Sequence, residues 1–165
     1  IYEGTNGIQA MDLLGRKLGL NKGKPIMDLM GEIQNTIAAA RTHAKVEAFA
    51  GKVETALNKL GEVALHLGKK AMSPELMTAF GHAYPFMEVS GDVVMSWLLL
   101  WRATIAAEKL ENGAKKKDAV FYEGQLKSAE FFVHCLLPVT LGKMEAILTT
   151  NSAVVDIAED SFGGK

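Results

Sequence analysis

The residues best suited to chemistry open the chain, in the phrase IYEGTNGIQ. Glu3 follows Ile1 and Tyr2 and precedes Gly4. Because removal from water raises the pKa of a carboxyl group, a glutamate in this setting suits a proton acceptor that works near neutral pH. Gly4 would let the backbone approach a ligand, leaving the Glu3 amide to donate a hydrogen bond. The phrase indicates proton abstraction; the simpler alternative is an acidic residue at the positive end of a helix dipole.

Other candidate groups have simpler structural interpretations. Trp97 and Trp101 are four residues apart and could stack a flat ligand, but a pair of core aromatics beside leucines explains the spacing better. The three lysines at 115–117 fit a solvated turn better than a phosphate site. The four histidines are scattered, and His134 and Cys135 point about 100° apart on a helix. We therefore expect no metal site, and no nucleotide-binding or metal-hydrolase motif is present.

A short helix must position the opening phrase. Asn6 could cap it with Gln9 at its third position, and apolar residues then recur at helical spacing until Gly19. The stretch LNKGKP that follows contains a glycine and a proline suited to the first turn of a new helix. We place a domain boundary at 20–24, which divides the chain into 1–24 and 25–165.

Long helices should fill the second part. Apolar spacing predicts one helix from Pro25 and another through 49–67, with their junction at RTHAK undecided. Ser73 could cap a short helix that begins at Pro74, and a long helix should run from Pro85 to about 112. A final long helix should continue past Pro138 with a kink. Since period-two segments are nearly absent, the sequence predicts an all-α bundle of long up-and-down helices.

The composition is that of a soluble globular protein. Eighteen basic and 19 acidic residues give a net charge of −1, so no global field attracts nucleic acid or an anionic membrane. The apolar stretch 93–101 is far shorter than the roughly 20 residues of a membrane-spanning helix. Cys135 is the only cysteine, which excludes an internal disulfide. We expect a cytoplasmic protein, although a chain without an initiator methionine leaves an upstream targeting segment open.

The opening phrase resembles the catalytic-base segment of the acyl-CoA dehydrogenase family, whose short- and medium-chain members carry a very similar I-Y-E-G-T-x-x-I-Q. The following AMDLLGRKL is similar to the helix that closes that family's core. YPFMEVSGDVVMSWLLLWRATIAA and FYEGQLKSAEFFVHCLLP resemble, more loosely, the extra helical domain of bacterial long-form members. By resemblance, 1–24 are the base segment and last core helix, and 25–165 an additional carboxy-terminal helical bundle.

The resemblance implies a chemistry. In that family an FAD-bound enzyme removes a proton from the α-carbon of an acyl-CoA while hydride passes from the β-carbon to the flavin, giving the trans-2-enoyl thioester. Glu3 matches the base, and its backbone amide, beside Gly4, would polarise the thioester carbonyl. Thr5 and Gln9 fall where members contact the adenosine-diphosphate part of FAD. Electron-transfer flavoprotein is the family's usual electron acceptor.

The resemblance also implies that most of the enzyme precedes Ile1, so that this chain is a carboxy-terminal fragment. We expect the fragment alone to be inactive and to hold no FAD, and the parent to be a homo-oligomer acting on a fatty acyl-CoA or a related thioester, such as 3-methylmercaptopropionyl-CoA. Membrane association, known for very-long-chain members, gains little support from the balanced charge. The alternative is a free-standing helical module that binds a partner helix or an apolar ligand. A complete small all-α enzyme has no supporting residue cluster.

Overall fold

A computed structural model describes residues 4–163 of the chain. This part is all-α, as predicted, and no strand occurs within it. The α-helices are, in chain order, α1 Asn6–Asp12, α2 Lys24–Ala40, α3 Glu47–Ala71, α4 Leu76–Gly81, α5 Ala83–Glu111, α6 Lys116–Phe131, α7 Leu137–Leu148 and α8 Ala153–Asp156. Short π-helical segments follow α1, at Leu13–Lys17, and α6, at Phe132–Leu136.

The 29-residue α5 is the central helix of the bundle. It packs against α1, α2, α3, α6 and α7, and its inner face is buried because small and branched residues recur at helical spacing. The fully buried side chains of the core include Val53, Leu57, Val63, Leu67, Phe86, Val89, Val93, Leu100, Leu137 and Met144. Burying each of the larger side chains stabilises the fold by about 1.5 to 3 kcal/mol. The stretch 93–101 is therefore part of a core helix, as predicted.

The connection between the first segment and the bundle is a tight turn. Asn21 and Lys22 have φ of 48° and 59°, and Gly23 has φ of 82°. Glycine adopts this left-handed backbone without strain, whereas the other two residues carry a modest cost there. The turn ends at Lys24, where α2 begins with Pro25 in its first turn. The helix break predicted at 20–24 is confirmed; the division into two domains stays a prediction, and α1 packs directly on α5.

Several helix boundaries differ from the prediction. Thr5, rather than Asn6, is the N-cap residue of α1, so Gln9 is the fourth helical residue and the predicted capping box is wrong. The stretch RTHAK forms turns, and these separate α2 from α3. Ser73 Oγ accepts the Glu75 amide at 3.1 Å and thereby stabilises a turn, so α4 begins two residues beyond Pro74. The Ser73 hydroxyl bonds a backbone amide of this turn, and it is therefore not the N-cap of α4.

The last long helix continues past Pro138, as predicted. The π-helical turn at Phe132–Leu136 precedes the proline, whose missing N–H then falls in the first turn of α7. Among the residues described, this run, Lys116–Leu148, is the one helix long and apolar enough to cross a membrane by length and composition. The sequence-based test for a membrane span was applied to 93–101 and not to this longer helix. Its inward face, with Val133 and Leu137, is buried in the bundle.

Candidate functional site

The candidate site is the segment that carries the opening phrase. Glu3, the predicted base, lies outside the residues that the structure describes, so the site is built from its neighbours. Gly4 is exposed, and a Cβ added to it would meet no atom of residues 6–163 within 4 Å. Packing within residues 4–163 therefore gives no reason for a glycine at this position. Its close approach to a ligand stays a prediction.

Thr5 and Gln9 lie together at the start of α1. The Gln9 amide donates to the Thr5 carbonyl at 2.8 Å, which begins the helix, and both residues are exposed. Residues four apart share a face of a helix, so their side chains are neighbours. The structure thus brings the two predicted cofactor residues onto one accessible surface. A hydroxyl and an amide supply the neutral donors and acceptors that suit a nucleotide's polar groups.

The first segment, which we also call the α1 segment, comprises residues 4–18, with α1 and the π-helical turn that follows it. One face of this segment anchors it to the bundle. Ala10 and Leu14 are buried, with 1% and 5% of their surfaces exposed. A Cβ at Gly15 would lie 3.1 Å from the Phe80 ring, so this glycine permits the close approach of the π-helical turn to α4. On the outer side Ile8 and Met11 are 60% and 48% exposed. The segment that holds the candidate residues is therefore covered on one side only.

The charged groups of the segment pair with one another. Asp12 accepts bidentate hydrogen bonds from Arg16, at 2.6 and 2.8 Å, and lies 3.3 Å from Lys17. The Arg16 hydrogen bond holds the pKa of the Asp12 carboxyl below its ordinary value, and Asp12 in turn raises the pKa of Arg16. Asp12 therefore stays ionised near neutral pH. Its pairing with Arg16 and Lys17 ties neighbouring turns of the segment together.

The two tryptophans stack on each other. Their ring centroids are 6.1 Å apart with an interplanar angle of 12°. Trp97 is half-buried and donates from Nε1 to Thr36 Oγ1 at 2.8 Å, which ties α5 to α2. Trp101 is half exposed and covers Trp97. Trp97 thus belongs to the α2–α5 contact, whereas Trp101 lies outside the core, so the interpretation as two core aromatics holds for Trp97 alone.

The histidines serve four separate contacts. His43 Nδ1 pairs with Glu111 at 2.7 Å, His66 with Thr150, and His82 Nδ1 with the Thr78 carbonyl at 3.0 Å. The fourth, His134, packs edge-on to Phe49. Within the described residues no three His, Cys, Asp or Glu side chains converge as a metal site. Lysines 115–117 are exposed at the start of α6, as expected of a solvated turn.

Sequence analysis missed an apolar cavity of about 360 Å³ between α2, α3, α5 and the first π-helical turn. Gly61 in α3 and Gly91 in α5 both line it. Glycines inside strongly helical patterns were the available signal, because such residues often mark a close approach or a packing requirement. Neither apolar periodicity nor charge could reveal the space between the helices.

Comparisons with known proteins bear on the same segment and bundle. Residues 29–158 match the family described as Acetyl-CoA dehydrogenase C-terminal like. A butyryl-CoA dehydrogenase of Syntrophomonas wolfei subsp. wolfei is 29% identical over 164 residues, and the broad-specificity linear acyl-CoA dehydrogenase FadE5 of Mycobacterium tuberculosis is 28% identical over 168. Each alignment covers 98% of this chain, but 26% and 27% of those relatives.

A further relative is named for a different acyl thioester. The 3-methylmercaptopropionyl-CoA dehydrogenase of Ruegeria pomeroyi is 27% identical over 167 residues, an alignment that covers 94% of this chain. It covers 26% of that relative. The chain therefore spans about a quarter of the length of the curated relatives it matches. The acyl groups in the names of these relatives differ, although each name describes an acyl-CoA dehydrogenase.

Proposed function

Because the chain belongs to the Acetyl-CoA dehydrogenase C-terminal like family, we propose that it is the carboxy-terminal part of an FAD-dependent acyl-CoA dehydrogenase. The observation that carries the proposal is the phrase IYEGTNGIQ, with a carboxylate at position 3, directly ahead of a bundle that matches this family. The alignments support it, since they run through nearly the whole chain and about a quarter of each relative.

In the intact enzyme Glu3 takes the α-proton of the acyl-CoA. Its carboxylate becomes a carboxylic acid, and its backbone N–H donates to the thioester carbonyl, where negative charge develops as the proton leaves. The chemistry that FAD would supply, when bound, is acceptance of the hydride from the β-carbon. Gly4 keeps the backbone next to the base free of a side chain, so that the thioester can lie against it. The product is the trans-2-enoyl-CoA.

The residues described fit a partial FAD contact and not a complete site. Thr5 and Gln9 present polar groups on one exposed face, where they would hold the adenosine-diphosphate part. The apolar cavity lies elsewhere, between the bundle helices and the first π-helical turn, and Ser90 is the one polar side chain in its lining, which is too little for a dinucleotide. The remaining contacts to flavin and substrate would come from the rest of the parent. The fragment alone is therefore inactive.

We assign the two parts of the chain different roles. Residues 1–24 carry the base and the end of the catalytic core, whereas 25–165 form a structural module that packs on that core or between subunits of a homo-oligomer. Electron-transfer flavoprotein is the proposed electron acceptor. The relatives' names cover butyryl, broad linear and 3-methylmercaptopropionyl thioesters. The substrate class is therefore a fatty acyl-CoA or a related thioester.

The test is flavin bleaching in the parent enzyme on addition of a panel of acyl-CoAs. Glu3→Gln keeps the size of the side chain and removes the base, so we expect unchanged flavin content and bleaching slowed by about a thousandfold or more. Glu32→Gln is the matched control, because Glu32 lies exposed on α2. Bleaching of Glu3→Gln at the wild-type rate would place the base elsewhere and contradict the assignment.

A second pair of variants tests the proposed cofactor contacts. Thr5→Val and Gln9→Ala remove polar atoms from one exposed face, and we expect each to lower the flavin content of the purified parent. Asn6→Ala, which alters the neighbouring exposed position, is the control. Full flavin occupancy in both variants would remove Thr5 and Gln9 from the cofactor site and leave the role of Glu3 untouched.

A further inference from the structure

The apolar cavity between α2, α3, α5 and the first π-helical turn is lined by elements from both parts of the chain. Leu13 and Leu18, from the first segment, close one side of it, and Met30, Leu60 and Met87 contribute to the others. Gly91 at its edge is exposed, and Ile26 is half-buried, so the cavity reaches the surface. Its volume of about 360 Å³ lies in the range of small-molecule pockets.

The lining dictates an apolar occupant. Ser90 is the one residue of the lining with a polar side chain, and its hydroxyl donates to the Phe86 carbonyl at 2.7 Å within its own helix. No charged side chain lines the space. Water in a cavity needs several polar partners, whereas apolar cavities stay dry and accept hydrocarbons. A ligand with a buried polar group would leave that group without a hydrogen bond.

Two features make room for the occupant. Glycine weakens the interior of a helix relative to alanine, yet Gly61 and Gly91 face this cavity from two different helices. A Cβ at Gly61 would lie 3.4 Å from Met30 Cε, and one at Gly91 would meet nothing within 4 Å. Met30 and Met87 are flexible side chains that can adapt to irregular apolar shapes. The space is thus kept open by small residues and lined by adaptable ones.

We propose that this cavity binds one unbranched aliphatic chain of on the order of a dozen carbons, since a cavity of roughly 150 Å³ already holds benzene. The chain enters from the side of Gly91 and Ile26 and leaves its polar end in water. A free fatty acid and the tail of an acyl thioester share this chemistry. The proposal rests on the cavity alone and not on the activity proposed above.

The test is photolabelling of the natural polypeptide that carries this chain, with a dodecanoic acid that bears a diazirine in its tail. Peptides from the cavity-facing parts of α2, α3 and α5 should carry the label. Unlabelled dodecanoate and dodecanoyl-CoA are added as separate competitors, and the stronger competitor identifies the source of the chain. Absence of label from all three helices would overturn the proposal, whatever the outcome of flavin bleaching.

Substitutions that fill the cavity supply the second measurement. Gly61→Leu and Gly91→Leu should each lower labelling of the lining peptides by about tenfold or more, because the added four-carbon side chain takes the space of at least about two methylenes of the ligand. Gly51→Leu is the matched control, since Gly51 also lies in α3 but does not line the cavity. Circular dichroism checks the fold of each variant. Labelling that survives in both cavity variants at the control level would contradict the site.

Discussion

The first segment and the bundle differ in how far this chain completes them. In α3 and α5 the inner faces are fully buried, and side chains such as Leu67 and Leu100 contact only protein. The α1 segment buries Ala10 and Leu14 but leaves Ile8 and Met11 open on its outer side. The residues with chemical promise, from Glu3 to Gln9, all belong to the less complete part.

In our proposal stability and chemistry reside in separate parts of the chain. A bundle can satisfy its apolar faces by itself, because long amphipathic helices pack against one another. A catalytic carboxylate needs a surrounding site that orients the substrate and excludes water. In our proposal the buried core of the bundle is self-sufficient, although Phe121, Phe131 and Val139 stay exposed on its outer surface, and the base segment depends on the rest of the parent. The following predictions test that contrast.

The largest effect is expected in the bundle core. Leu67→Ala should lower the free energy of unfolding by about 2 to 5 kcal/mol, because it leaves a cavity at a fully buried position of α3. Leu65→Ala, two residues away on the same helix and 68% exposed, should change it by less than about 0.5 kcal/mol. Urea unfolding measures both. Equal effects would contradict the burial pattern of α3.

Removing the anchor of the first segment should have a more local effect. Leu14→Ala should lower the free energy of local opening at 6–17 by about 2 kcal/mol, while α3 and α5 keep their amide protection. Met11→Ala, on the exposed side of the same segment, is the control. Hydrogen exchange measures protection residue by residue. If protection of α3 and α5 falls equally, the segment is an integral part of the core.

The α2–α5 contact allows a smaller test within the bundle. Thr36→Val preserves the shape of the side chain but removes the acceptor of the Trp97 indole N–H, which should cost about 1 kcal/mol. Thr55→Val is the control, because it removes an exposed hydroxyl that donates to the Gly51 carbonyl in the same helix. We expect this change to lower the free energy of unfolding by less than about 0.5 kcal/mol. Thermal unfolding of the two variants compares them. If Thr55→Val lost as much stability as Thr36→Val, the hydrogen bond to Trp97 would have no special role.

The smallest effect concerns the ion pair of the first segment. Arg16 lowers the pKa of the Asp12 carboxyl from its ordinary value of 3.8. The ion pair therefore stabilises the fold at pH values above 3.8, and this contribution is lost as the pH falls through the lowered pKa. In Arg16→Gln the Asp12 carboxyl should therefore titrate at a higher pH, as NMR would show. Lys17→Gln should raise it less, because the Lys17 contact is longer. An unchanged midpoint in Arg16→Gln would contradict the pairing.

Much of the bundle could be predicted from the sequence because helical periodicity encodes buried faces directly. The sequence predicted that α5 ends near Gly113, because glycine readily adopts the left-handed conformation found there, with φ of 78°. It also predicted that the last long helix continues past Pro138, where proline lacks a backbone N–H. Helix starts were less accessible. The N-cap of α1 falls at Thr5 without a side-chain capping hydrogen bond, and the turn at Ser73 depends on which nearby polar side chain bonds the backbone, so the sequence permits more than one solution.

The candidate site was accessible only in part. The phrase around Glu3 points to proton abstraction, and the structure places Thr5 and Gln9 on one exposed face of α1. The cavity beside Gly61 and Gly91 depends on distances between helices, which periodicity does not encode. Sequence patterns identify the chemistry of residues more readily than the shape of the spaces between them.

The most direct test of the central contrast is to express the 165-residue chain and measure its helicity, its unfolding and its flavin content together. We predict a helical protein that unfolds cooperatively and retains no stoichiometric FAD after gel filtration with excess cofactor. That result would show a self-sufficient bundle beside a base segment that needs its parent. Stoichiometric flavin absorbance in the isolated chain, or a chain without cooperative unfolding, would contradict the account.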